Sequence, residues 1–210
     1  MTVARRTALA AVTALLLAPP VAAAQSPATA ATPAPATRDT AAWNIDRSHS
    51  ELTFSIRHLV SRVRGQFNRW TGTITGDLDN WEAASVLVTI DGSSIDTNNE
   101  NRDADLRGPD FFDVANHPNL TFRSTRIERD GERVRLTGDL TIRGVTRPIV
   151  LEGSFNGTTR DQRGRTRAGF EVSGTINRKD YGIVWNRAVE AGGLLLGDEV
   201  RIDVAVAAVR

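Results

Sequence analysis

The chain has 210 residues, 26 basic side chains against 25 acidic ones, and no cysteine. Near-neutral charge, with the arginines scattered and Lys179 the only lysine, leaves no basic run and argues against a nucleic-acid binder. Without cysteine there are neither disulfides nor thiolate zinc sites, so a core must hold the fold.

Residues 1–24 read as a secretory signal peptide. Arg5 and Arg6 form a charged start, residues 8–17 are apolar, and Ala22-Ala23-Ala24 supplies the small-x-small cleavage pattern. The apolar stretch is too short for a bilayer span, which takes about 20 residues, and Pro19-Pro20 ends it. Arg5-Arg6 also raises a twin-arginine route, but Thr7-Ala8-Leu9 fit general secretion better. Residues 25–42 are rich in Ala, Pro and Thr, lack apolar periodicity, and predict a disordered tether. One folded domain is expected over 43–210. No later apolar run reaches membrane-spanning length. The mature product is therefore expected to be periplasmic or secreted after cleavage near Ala24, with no stable membrane insertion.

From Trp43 onward the dominant period is two, as in half-buried strands. Residues 51–59 alternate, with Leu52, Phe54 and Ile56 on one face. Residues 63–77 form a long strand whose apolar parity changes between Phe67 and Trp70, predicting a bulge near Asn68. Residues 84–95 and 119–128 follow. Residues 133–143 alternate most cleanly, with Val134, Leu136, Leu140 and Ile142 against Arg133, Arg135, Asp139 and Arg143. Residues 148–158, 167–177 and 199–209 complete eight strands. Asp130-Gly131, Arg143-Gly144 and Asn156-Gly157 are among the turn signals. The helical candidate, 98–106, is polar and ends at Gly108-Pro109.

This pattern predicts an all-β fold: an eight-stranded antiparallel up-and-down barrel with one short helix between the third and fourth strands. A β-sandwich is the rival, but the long second and third strands favour a tall barrel. Eight strands enclose an interior that side chains fill or that holds one small ligand. Gly138, Gly153 and Gly174 fall on inward parity among large apolar residues, where they either hollow the interior or relieve crowding.

Little points to chemistry. His49, His58 and His117 lack metal-ligand spacing, and no nucleophile elbow or phosphate-binding glycine loop occurs. His58 continues the inward parity of Phe54 and Ile56, and Arg64 follows just past the turn. The two either offer donors to a ligand's polar head at one cavity mouth, or His58 simply plugs the barrel end. Phe111, Phe112 and Trp185 lie in connectors and serve as an entrance or as cap residues. Candidate ligand-binding residues are thus His58, Arg64, Phe111, Phe112 and Trp185 at the mouth. Along the bore they are Phe54, Ile56, Phe67, Leu136, Leu140, Gly153, Phe170 and Val172. No catalytic residue, metal or cofactor is expected.

Several segments carry a family likeness. The run His58-Leu59-Val60-Ser61-Arg62-Val63-Arg64-Gly65-Gln66-Phe67 resembles the signature of the YceI family. The likeness continues through 106–113, His117-Pro118 with Thr121-Phe122, 138–146, and Asn177-Arg178-Lys179-Asp180-Tyr181-Gly182-Ile183. The commoner family pattern has Phe at the position of Tyr181. The resemblance implies a periplasmic or secreted lipocalin-like barrel with a long apolar tunnel. It also implies an isoprenoid lipid, a quinone or a polyprenyl phosphate, as partner. Two other classes stay open: a stress-response or structural barrel without a ligand, and an enzyme acting on a bound lipid, with His58 its one candidate base. A homodimer is equally open.

Overall fold

The computed structural model describes residues 42–77, 80–188 and 194–210, the side chain of Glu82 excepted. The leader 1–24 and all of the tether but Ala42 lie outside the described residues, and Ala42 already belongs to the first strand.

Among the described residues eleven strands form one sheet that closes on itself. In chain order they are β1 (Ala42–Ile45), β2 (Glu51–His58), β3 (Ser61–Phe67), β4 (Trp70–Thr75), β5 (Ser85–Asp91) and β6 (Ile95–Asp96). After helix α1 (Glu100–Arg107) come β7 (Asn119–Asp130), β8 (Arg133–Ile142), β9 (Val145–Arg160), β10 (Thr166–Asn177) and β11 (Leu196–Val209). Three barrel staves are each broken in two. β1 and β2 both pair with β11, β3 and β4 run on from each other, and β5 with β6 lines the next position. Counted as staves there are eight, antiparallel and in sequence order, and β1 against β11 closes the ring. This is the up-and-down barrel that the period-two pattern predicts.

Local chemistry sets the breaks. Asp46 accepts from Ser48 N and caps the short turn between β1 and β2, and Asp91 does the same for Ser93 between β5 and β6. The irregularity expected near Asn68 is the break between β3 and β4, where Asn68 N bonds Ser94 O instead of a ladder partner. At the β8–β9 turn Arg143 and Gly144 both have positive φ, 52° and 73°, as a tight two-residue hairpin requires. Helix α1 starts two residues later than expected, with Asn99 capping Arg102 N.

The register separates the two faces. Val134, Leu136, Leu140, Leu52, Ile56, Ile202 and Val204 all face the interior, while Arg133 and Arg135 lie exposed outside. One end of the bore is shut by aromatics. Trp43 is 3% exposed, and Trp81 packs edge-on against Phe155 and Phe170, with ring centroids 5.1 and 5.6 Å away. Helix α1 and the connector after it lie over the other end.

Candidate ligand-binding site

Between the aromatic plug and the α1 cap lies a cavity of about 870 Å³. That is within the range of about 300–1,000 Å³ for small-molecule sites. Its wall is almost wholly aliphatic and aromatic, since every stave contributes its inward parity. Phe54, Ile56, Phe67, Leu136, Leu140, Phe170 and Val172 all line it, as the alternation predicts.

The mouth is built from connectors. His58 lies at the end of β2 on the wall, paired in register with Leu196 of β11 and Ser61 of β3. Phe111 and Trp185 meet there with ring centroids 5.3 Å apart. Phe112 instead turns down the bore and makes an edge contact with Phe67, which in turn meets Phe54. The two adjacent phenylalanines thus serve different depths of one cavity.

Two of the expected residues are not part of it. Arg64 stands opposite Ser55 on the outer face, exposed to solvent, because Val63 and Phe67 take the inward parity of β3. Gly153 does not open space either. A side chain there would run into the Glu171 carbonyl and the backbone at Val172, because β10 passes too close. Gly138 and Gly174 likewise leave no void: the Phe122 ring covers the first and the Leu151 side chain the second. Of the two readings of these glycines, relief of crowding holds at all three.

The charged groups that hold the mouth escaped the sequence reading of chemistry. Arg178, 3% exposed, donates to the carbonyls of Gly197, Ile183 and Trp185 at 2.7–2.9 Å, and to Asp198 Oδ1 at 3.3 Å. Burial pulls its pKa down while Asp198 opposes that shift. Its role is to fix Trp185 at the entrance. Nothing in a polar run such as Asn177-Arg178-Lys179-Asp180 marks one arginine as buried; only its place in the family-like segment could have. Tyr181 beside it is 1% exposed, and burial, with Asp180 adding to it, pushes its phenol up to about 12. Helix α1 is fastened similarly. Asp103 accepts from Thr97 N and Oγ1 at 2.9 and 2.6 Å, and Arg107 donates to the carbonyls of Ser93 and Ile95. Arg143 donates to the carbonyls of Pro109 and Phe111 and holds the connector down.

Among the described residues no group of three His, Asp or Glu side chains is placed to hold a metal ion. No helix among them is long and apolar enough to cross a membrane.

Residues 43–208 match the model of the YceI-like domain. The chain belongs to the YceI family. Protein YceI of Escherichia coli O157:H7 is 43% identical over 146 residues, which cover 68% of this chain and 76% of that protein. The crystal structure of the Campylobacter jejuni YCEI protein is 31% identical, with a TM-score of 0.64, covering 74% of this chain and 90% of the other. A polyisoprenoid binding domain from Saccharophagus degradans shares the fold at 18% identity, with a TM-score of 0.57 over 79% of this chain and 97% of that one.

Proposed function

We propose that this YceI-family barrel is an exported, non-enzymatic carrier or store for an apolar lipid with an isoprenoid chain. The observation that carries this reading is the cavity itself: about 870 Å³ behind an almost unbroken apolar wall. A wall of that kind rewards burial of hydrocarbon at about 25 cal/mol per Å² and offers almost nothing to a polar substrate. The polyisoprenoid-binding character of the Saccharophagus degradans domain with this fold supports the same ligand class. In the bound state the chain would lie along Phe54, Leu136, Leu140 and Val172, with its head beside His58, Phe111 and Trp185.

Of the two heads that the family resemblance admits, the charges at the mouth favour a quinone over a polyprenyl phosphate. Arg178 spends its donors on carbonyls and Asp198, and Arg102 donates to Thr97 Oγ1 and O. The carboxylates of Asp105 and Asp110 border the same opening and would repel a phosphate. Arg64, the cation the sequence offers for that task, faces away.

Native mass spectrometry of protein purified from its own host tests this. A mass excess matching a prenyl quinone is expected, released on denaturation. A chain of bare mass from several native preparations overturns the reading. On the same sample, N-terminal sequencing is expected to begin at or near Gln25.

A further inference from the structure

The β2–β3 hairpin ends beside the cavity mouth in a tip of unusual composition. Its two loop residues are Leu59 and Val60, where turn chemistry calls for Gly, Asn or Asp. Leu59 sits at φ 52°, a left-handed conformation that a leucine adopts only at some cost. Val60 is fully exposed and Leu59 40% exposed. The tip is tied to the β11 side by a 2.9 Å bond from Leu59 N to Leu195 O. Two more exposed apolar residues, Val184 at 65% and Leu194 at 43%, adjoin the mouth residues Trp185 and Leu195 in sequence. His58, Trp185, Leu195 and Leu196 line the mouth between them.

Charge surrounds this apolar rim on one side. Arg57, Arg62 and Arg64 are exposed on the outer face of the hairpin, and Arg57 stands directly across from Arg62. Like charges so placed weaken a strand pair. No acidic residue occurs from Leu52 to Phe67. Arg62 and Arg64 make no ion pair among the described residues. Asp198, the carboxylate that Arg57 acts on, is already held by Lys179 and Arg178. A left-handed leucine and two exposed apolar residues cost stability and solubility, and the bonds that hold the tip, Arg57 Nη1 to Leu59 O at 3.3 Å and Leu59 N to Leu195 O, do not require apolar side chains there.

We propose that this hairpin tip, with Val184 and Leu194, docks the cavity mouth onto an anionic lipid bilayer. Leu59 and Val60 enter the headgroup boundary, while Arg57, Arg62 and Arg64 meet lipid phosphates. The inference rests on the carrier reading for its purpose. A lipid with a long apolar chain does not cross water unaided, so the mouth must reach the bilayer to load or unload. The acidic side of the mouth, Asp105 and Asp110 on α1 and its connector, then tilts away from the surface.

The test is co-sedimentation of the mature chain with vesicles of phosphatidylglycerol and phosphatidylcholine in equal parts, against pure phosphatidylcholine. Stronger partitioning to the anionic vesicles, fading at high salt, is expected. Each arginine near such a surface is worth about 1 kcal/mol, or about fivefold. An Arg62→Ser/Arg64→Ser chain should therefore bind about 25-fold more weakly. Val60→Asp should weaken binding to both vesicle types. Equal partitioning of the parent to the two vesicles, or unchanged binding by these variants, overturns the docking surface. So does self-association that the same substitutions abolish while vesicle binding persists, which would make the tip a contact between two copies. Uptake of a quinone from detergent solution should be unaffected, because none of the three side chains lines the cavity. Vesicle binding without any quinone uptake would overturn the carrier and leave the docking surface standing.

Discussion

The two ends of the barrel are closed by different physics. At the end where β1 begins, Trp81 stacks edge-on with Phe155 and Phe170, and Arg129 lies 4.4 Å above the Phe155 ring. Trp43, paired with Ile74, belongs to the same buried core as Ala168 and Ala208, which are 2% and 0% exposed. At the other end a polar helix and its connector are held by discrete hydrogen bonds: Asp103 accepts from Thr97, and Arg107 and Arg143 donate to backbone carbonyls. Dispersion and burial are non-directional, and a plug built from them is lost only by unpacking the core. Directed bonds can be released a few at a time. One end is thus sealed by a packed core and the other by separable hydrogen bonds, so substitutions at the two should be felt differently.

The largest effect should come from the plug. Trp43→Ala is expected to cost about 3–5 kcal/mol in urea denaturation. The lower part of that range is the better expectation, because the Trp43 indole N–H is buried without a partner and its removal relieves that penalty. A loss below about 1 kcal/mol would mean that this end is not the stable one.

Gly153→Ala comes next, in the middle of the wall. Its new methyl group would meet the Glu171 carbonyl, so the change is overpacking against backbone, costing about 1–3 kcal/mol or more. Thermal unfolding should fall before any lipid binding does. Lost binding at an unchanged melting temperature would put this residue back on the cavity wall.

Asp103→Ala loosens the other end. Asp103 is 6% exposed, and removing its carboxylate leaves Thr97 N and Oγ1 without their acceptor, at about 1–3 kcal/mol. Hydrogen exchange at α1 amides should accelerate while β8 and β9 stay protected, and a bound lipid should leave faster. Uniform acceleration over the barrel would show the helix to be part of the core instead of a cap.

These contrasts also explain what the sequence made legible. Alternation is a backbone property, so the eight staves, their inward residues and the turns at Asp130-Gly131 and Arg143-Gly144 could be read directly. The separate first stave half at Trp43 could not, because Asp46 interrupts the strand by a side-chain cap that reads as ordinary polar sequence. Arg64 was misplaced by judging proximity along the chain, when parity with Val63 puts it outside. Gly153 was misplaced because parity gives a direction and not the distance to the next strand. Near it Asn156 is an extra residue in β9 that draws the two backbones into an irregular pairing. Arg178 and Asp103 were invisible because their partners, carbonyls at Ile183, Trp185 and Gly197 and the N and Oγ1 of Thr97, belong to irregular connectors and the irregular start of β11, which no periodicity marks.

The smallest effect concerns pH and the outside of the plugged end. Asp46, in the turn after β1, and Asp161, after β9, share Arg167 of β10, at 2.7 and 3.3 Å. Hydrogen bonds from Ser48, and then Arg167, hold the Asp46 carboxyl below the usual range. Burial alone would raise Asp161, but bonds from Arg165 and Arg163 outweigh it and bring its pKa from 3.8 to about 2. A carboxyl with a depressed folded pKa stabilises the fold fully above its unfolded value, and that contribution is lost as pH falls through the folded one. The clamp should therefore be intact at neutral pH and decay between about pH 4 and pH 2. Asp161→Asn keeps one acceptor for the Arg163 and Arg165 amides but removes the charge and the second acceptor, Oδ2, of Arg165 and Arg167, so its melting temperature should lie slightly below the parent's at neutral pH and meet it near the acid limit. The gap should be small, since partly solvated ion pairs are screened. A gap that widens on acidification would mean that the carboxylate is strained where it sits, and that this end is sealed by its aromatics alone.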